Sequence, residues 1–227
     1  DCALLEKFNP SLLAGDAGKL NKEQKSFVDE IYSGNQRMVS LVNSLLNVSR
    51  IELGTLAIEP KPTDFRKISA SVLTEIKNQI SEKKIKISKN YDKSLPLINA
   101  DPNIIRIIFQ NLLTNAVKYT PEKGKVSVSI EKQSKDALIK VSDTGYGIPK
   151  AQQSRIFEKL FRADNVRERD ASGTGLGLYL VKAVVESAEG KIWFDSIENK
   201  GTTFFVALPL SGMEKKEGSK TLNEEKL

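Results

Sequence analysis

At 227 residues with 39% hydrophobic side chains, the chain can bury one good core plus a smaller second unit. Its single cysteine, Cys2, excludes an internal disulfide framework and a cysteine-built metal site, and its lack of any histidine argues against zinc hydrolase and Ser-His-Asp chemistry. The net charge of +6 is spread through nearly every segment with lysines alternating with acids, which does not point to nucleic acid, and neither an apolar run of about 18 residues nor a charged-then-apolar leader is present, so no membrane span or export signal is expected.

In chain order, residues 1–13 offer only a short helix interrupted by Pro10, and Ala14-Gly15-Asp16-Ala17-Gly18 reads as a turn. From 19 to 51, Val28, Ile31, Met38, Val42 and Leu45 recur at spacings of three and four, with Asn35 taking one turn of the same stripe, which predicts one long helix with a seam. Such a seam fits either intramolecular packing or half of a dimeric four-helix bundle. Glu59-Pro60-Lys61-Pro62 denies regular helix and marks a boundary. Beyond it a helix is predicted over 65–82, a strand over 84–90 and a long helix over 101–118, with Asp101 as N-cap and Pro102 at the first helical position. Period-two apolar positions predict strands over 126–130 and 138–142, then over 191–194 and 202–208 around Asn199-Lys200-Gly201, with a helix over 177–188 before that last pair.

Helices and strands mixed this way predict an α+β fold, one sheet with helices on one face in a two-layer α/β sandwich. The domain reading is a helical segment over 1–56, a globular domain over 57–211, and a disordered tail over 212–227, which is charged and poor in apolar side chains.

Three short stretches carry chemistry. Asn111, Asn115 and Lys118 are spaced four and three apart, so they share a helix face while Ile104, Ile108, Leu112, Leu113 and Val117 supply apolar surface. Amide oxygens can ligate a hard cation and a lysine one turn on can meet phosphate, although an ordinary solvated face has the same composition. Asp143-Thr144-Gly145-Tyr146-Gly147-Ile148 follows an apolar strand, with a carboxylate able to accept from an exocyclic amine and two glycines that let backbone approach a ligand; many tight turns share that pattern. Gly173-Thr174-Gly175-Leu176-Gly177-Leu178 opens a predicted helix, where backbone amides can face phosphate, though it matches neither the dinucleotide fingerprint nor the P-loop. Between the glycine runs, residues 150–172 contain Arg155, Phe157, Phe161, Arg162, Arg167 and Arg169 and read as a lid.

The order and spacing of these stretches resemble the catalytic domain of sensor histidine kinases, within the ATPase group that includes gyrase, the MutL proteins and the heat-shock chaperone ATPases. The resemblance spans about residues 58–210: 111–119 resembles the asparagine box, 143–148 the first glycine box, Phe157-Glu158-Lys159-Leu160-Phe161 the phenylalanine box, 173–177 the second glycine box, and Gly201-Thr202-Thr203-Phe204 the closing strand motif. It implies a mixed sheet of the Bergerat ATP-binding type preceded by a helical hairpin remnant, with ATP and Mg2+ as cofactors. By position, Asn111 and Asn115 would hold magnesium and phosphate, Asp143 would read the adenine amino group, and Tyr119 would pack on the ring. Lys118 and Arg162 would balance phosphate charge, making Asn111, Lys118 and Arg162 the residues nearest the chemistry. Gly173, Gly175 and Gly177 would bring lid backbone to the triphosphate, with Gly145, Gly147, Ile148, Phe161, Thr174, Leu176 and Thr202 completing the nucleotide site. Hydrolysing relatives carry a glutamate four residues before the second asparagine, where this chain has Asn111, so transfer to a protein acceptor is expected rather than rapid hydrolysis.

One box of the resemblance is missing: the His-Glu-Leu-Arg-Thr-Pro-like stretch that sensor kinases place on the helix before the one read at 19–51. Residues 12–54 still resemble the latter half of the dimerisation and phosphotransfer domain. Truncation, engineering and natural loss all fit, an altered or shortened chain being favoured, and the chain cannot phosphorylate itself on histidine. The implied partners are a response regulator receiver domain, a histidine-bearing dimerisation helix and a second copy, with no nucleic acid and no membrane. The implied location is cytoplasmic, within a parent that can itself be membrane-anchored. A non-catalytic nucleotide-binding or docking module is the alternative, and a serine-phosphorylating relative of the anti-sigma-factor kinase type is disfavoured by the partial dimerisation helix.

Overall fold

The computed structural model describes residues 18–167 and 173–218 together with residues 11, 14, 16 and 222. The first helix of the expected hairpin, most of its 14–18 turn, lid residues 168–172 and tail residues 219–221 and 223–227 lie outside the described residues.

Helix α1, Lys22–Glu52, opens with a reciprocal capping box: Asn21 Oδ1 accepts from the Gln24 N–H at 2.9 Å and Gln24 Oε1 accepts from the Asn21 N–H at 3.0 Å. Its predicted seam faces solvent. Ile31, Met38, Val42 and Leu45, with Phe27, are between 46% and 58% exposed, whereas the polar Asn35, Ser44 and Asn47 are buried. The helix packs on α6, Gly177–Ser187, burying Val48 along with these polar groups, and leaves much of the surface of the apolar row uncovered by the described residues. Asn35 Nδ2 has no hydrogen-bond partner among the described residues, and an orphaned buried donor costs about 1–3 kcal/mol. Asn35→Leu should accordingly raise stability by about 1–2 kcal/mol in chemical denaturation. An unchanged or lower midpoint would mean that the amide is satisfied by groups beyond those described.

Strand β1, Lys61–Thr63, falls in the proline stretch read as a linker. It pairs antiparallel with β3, Ile98–Ala100, and this small two-stranded sheet has no sequence signal, because three-residue strands are too short to display a period. The predicted helix 65–82 is two helices, α2 Phe65–Glu75 and α3 Lys77–Glu82, joined at the buried Ile76. Hydrogen bonds from Ile76 N to Val72 O and from Ile80 N to Ile76 O continue across the join, so the interruption is a local tightening. Asp64 caps α2, and the Arg66 guanidinium beside it holds the Asp64 carboxyl below the usual carboxylate range.

After β2, Lys86–Tyr91, comes α4, Pro102–Tyr119, with Asp101 as N-cap and Pro102 in the first turn, as expected. One Asp101 oxygen accepts from the Asn103 N–H and the other from the Glu59 N–H, both at 2.9 Å, so the cap also fixes the chain entering β1. Helix α4 is apolar on most of its circumference, and Ile104, Ile105, Ile108, Phe109, Leu112 and Leu113 are fully buried. Helices α2 and α6 (Gly177–Ser187) pack against it.

Strands β4 (Lys125–Gln133), β5 (Asp136–Asp143), β6 (Lys191–Ile197) and β7 (Gly201–Pro209) complete a five-stranded sheet in the order β2-β4-β5-β7-β6. β2 and β4 are parallel and the other pairs antiparallel, giving the mixed sheet. Val126, Val128 and Ile130 of β4 and Phe204, Val206 and Leu208 of β7 are buried in the core, and alternate residues turn to the other face, where Trp193 stacks on Phe205 at 5.3 Å. The architecture is the two-layer α+β sandwich with a mixed sheet.

The expectation of a disordered tail from residue 212 fails for 212–218. Met213 is buried and its N–H donates to Asn99 O at 2.8 Å, while Ile58 and Lys216 exchange backbone hydrogen bonds at 3.0 and 3.2 Å. Charge-rich composition misled because one buried methionine and the backbone make these contacts, and the Lys216 ammonium adds one by donating to Ser187 O at 2.7 Å. No described helix is long and apolar enough to cross a membrane.

Candidate functional site

A cavity of about 770 Å³ opens between α4, the turn after β5, residues 156–166 and 173–175, and the start of α6. Its lining brings together fourteen of the sixteen residues singled out from the sequence: Asn111, Asn115, Lys118 and Tyr119 from α4; Asp143, Gly147 and Ile148 from the first glycine turn; Phe161, Arg162, Gly173, Thr174, Gly175 and Gly177 around the lid; and Thr202 from β7. Gly145 and Leu176 do not line it. Gly145 lies behind the wall, where a Cβ would overlap Tyr119 O, and Leu176 is buried in the core as the N-cap of α6.

Each wall has a local cause. Spacings of four and three on α4 turn the amides and Lys118 to one side. Asn111 Nδ2 donates to Ile107 O at 2.9 Å, which leaves Oδ1 directed at the first residue of α6; any side chain on Gly177 would collide with it. Gly175 takes φ +71° and packs on the Leu160 backbone, so the second glycine run closes against the phenylalanine segment. The Arg162 guanidinium lies beside Gly173, where a Cβ would come within 3.1 Å of it. Arg155 stacks on the Phe161 ring at 4.5 Å, and Phe157 meets Phe194 edge-on at 5.9 Å, anchoring the segment to β6. Within the predicted lid, residues 150–155 form a 3-10 helix and α5 spans Asp164–Arg167.

Also in the lining, Asp143 Oδ1 accepts from the Gly145 N–H at 2.8 Å and the Thr202 N–H at 3.2 Å. Burial pushes the Asp143 carboxyl up to about 6, and the two N–H donors offset it only in part. Ser196 Oγ accepts from the Ile148 N–H at 2.9 Å and lies 2.9 Å from Thr202 Oγ1, tying the glycine turn to the β6–β7 hairpin.

Sequence reasoning missed several of the lining residues. Ser40 of α1 reaches the cavity, as do Gln79 and Lys83 of the α3 end, Tyr146, Ile156 and Val166. Ser40 and Lys83 had no signal, since neither lies near a motif. α1 is also held at its far end, where the Glu52 carboxylate pairs with Lys159 and accepts from Tyr179 Oη at 2.5 Å. The Lys159 bond, then the Tyr179 bond, holds that carboxyl below its usual range. Among the described residues no group of three or more His, Cys, Asp or Glu side chains could form a metal cage.

Residues 100–212 match the family described as histidine kinase-, DNA gyrase B-, and HSP90-like ATPase. The chain is 32% identical over 201 residues to the circadian input-output histidine kinase CikA of Synechococcus elongatus, covering 88% of this chain and 27% of that protein. It is 36% identical over 174 residues to the adaptive-response sensory kinase SasA of Gloeothece citriformis, covering 76% of this chain and 44% of the relative. Among solved structures, full-length ShkA in complex with AMPPNP superimposes with a TM-score of 0.74 at 26% identity, over 94% of this chain and 46% of that one. The chain thus spans between 27% and 44% of the length of these two curated relatives.

Proposed function

Because the chain carries the catalytic domain of a sensor histidine kinase, belonging to the histidine kinase-, DNA gyrase B-, and HSP90-like ATPase family, we propose that it binds ATP with Mg2+ and transfers the γ-phosphoryl group to a histidine on a helix outside these 227 residues. The observation that carries this reading is the convergence of two amides, two cations and three glycines on the lining of one cavity that also presents Asp143.

Asp143 would accept from the adenine amino group while Tyr119 and Ile148 flank the ring. Lys118 and Arg162 would neutralise phosphate charge, and the backbone of the second glycine run would approach the triphosphate without side-chain collision. The donor set fits Mg2+ held mostly by phosphate oxygens and water, since Asn111 and Asn115 offer one or two neutral oxygens and no carboxylate cage surrounds them among the described residues. When bound, with Asn111 and Asn115 as its side-chain ligands, that ion would supply positive charge to offset that of the phosphates. In the transfer, the terminal P–O bond of ATP breaks, a P–N bond forms to the acceptor imidazole, and ADP leaves. Asn111 stands where a hydrolytic relative would place a general base, so water is not activated and the phosphoryl group is reserved for the imidazole.

The uncovered row Phe27, Ile31, Met38, Val42 and Leu45 suits a bundle with a second copy, whose assembly would bring the histidine-bearing helix to the site. We assign the chain to a cytoplasmic kinase passing phosphate to a response regulator receiver domain.

Calorimetry with ATP should show binding strengthened by Mg2+, and radiolabelled ATP should label a supplied histidine-bearing dimerisation helix. Binding without labelling would favour a docking module, and no binding by the folded chain would defeat the nucleotide reading.

A further inference from the structure

Helix α4 lacks the usual means of ending. Its C-cap, Thr120, is extended at φ −87° and ψ 131°, Pro121 follows, and no left-handed glycine folds back over the last turn. The terminal carbonyls therefore need an outside donor, and the structure supplies one. Lys83, at the C-cap of α3, sends its ammonium to Lys118 O at 2.6 Å, Val117 O at 3.1 Å and Thr120 O at 3.1 Å. These three acceptors match the three ammonium protons, and the cation sits at the negative end of the helix. The same two segments are joined a second time by the Lys123 N–H, which donates to Lys83 O at 2.8 Å.

What this clamp holds is one wall of the site. The last turn of α4 carries Lys118 and Tyr119, and Tyr119 O accepts from the Tyr146 N–H at 3.2 Å in the first glycine turn. Gly145 rests so closely on Tyr119 O that no Cβ fits between them. The carbonyls that Lys83 fixes are thus adjacent to the one on which the Asp143-bearing turn is seated, and Lys83 itself lines the cavity beyond Tyr119.

We propose that Lys83 is a positioning residue for the nucleotide site, fixing the C-terminal turn of α4 and through it the Asp143 to Gly147 turn; this deepens the ATP-binding reading above and rests on it. Lys83→Met keeps the apolar stem and removes every donor. It should lower ADP affinity about tenfold by calorimetry well below the melting temperature, and speed hydrogen exchange at the Tyr146 amide. Lys83→Arg, which retains a cation and several donors, should recover most of both. If Lys83→Met does not fold, Lys83→Gln compared with Lys83→Arg carries the same test. In a double mutant with Asp143→Asn, the combined loss should be smaller than the product of the single losses, because both act through one turn.

A lowered melting temperature with unchanged ADP affinity would reduce Lys83 to a structural cap and overturn the proposal, as would losses that multiply fully. Failure of the unmodified chain to bind ADP would strike the proposed function instead, and the Tyr146 exchange rate would still report whether Lys83 seats the turn.

Discussion

Asp143→Asn lowers ATP affinity by about a hundredfold or more while raising folding stability at neutral pH. The two effects separate because the carboxylate is kept for a ligand at a cost to the fold. Its folded pKa is about 6, above the ordinary 3.8, and burial is the main cause. A carboxyl raised in this way favours folding while it is protonated, and that contribution fades as pH rises from about 4 to about 6. At neutral pH the buried charge costs at most about 3 kcal/mol, taking ~1.4 kcal/mol for each pH unit that separates the folded from the ordinary value.

The asparagine Oδ1 can still accept from the Gly145 and Thr202 N–H groups, but its Nδ2 then points a donor at the adenine amino group, itself a donor. Replacing a charge-assisted bond by two opposed donors accounts for the hundredfold loss. Denaturant midpoints should show the gain at neutral pH and its disappearance near pH 4. ATP affinity in the unmodified chain should strengthen as pH rises through about 6, a dependence that Asp143→Asn should lose. Unchanged binding by the variant would remove Asp143 from the site.

Gly147→Ala should destabilise the fold by about 3 kcal/mol or more and abolish nucleotide binding. Gly147 has φ +62°, which costs a non-glycine residue about 1–2 kcal/mol by itself. Here the added Cβ would also sit 2.7 Å from the Ile197 carbonyl carbon and 2.9 Å from Glu198 Cα, at the end of β6. That backbone cannot retreat cheaply, because the Asn199 N–H donates to Tyr146 O at 2.7 Å and Ser196 binds the Ile148 N–H. Gly54 supplies the internal control: its φ is +64° and no described atom lies within 4 Å of the place its Cβ would take, so Gly54→Ala should cost only the conformational part, about 1–2 kcal/mol. Equal melting temperatures for the two variants would show that the turn can move away from the hairpin and that close packing does not define this wall.

Much of this site is legible in the sequence because its parts are local. Spacings of four and three set Asn111, Asn115 and Lys118 on one side of α4, and Asp101-Pro102 states where that helix begins. The glycines at 145, 147, 175 and 177 mark places where backbone must pass close to something, and the something is backbone, the Asp143 carboxylate or the Asn111 amide. The two three-residue strands were illegible, as was the ordered course of 212–218, whose backbone pairs in part with Asn99 and Ile58, more than a hundred residues earlier.

The sequence by itself determined the order of the longer elements, the polar face of α4 and the positions of the glycine turns, since each depends on side chains within a turn or two of one another. Only the tertiary structure decided that Lys83 closes the end of α4, that Ser40 reaches the cavity, and that burial raises the Asp143 carboxyl. It also decided that α1 buries Asn35, Ser44 and Asn47 while its apolar row stays largely exposed. Those outcomes depend on which distant surfaces exclude water from a given group, and periodicity along the chain contains no information about that.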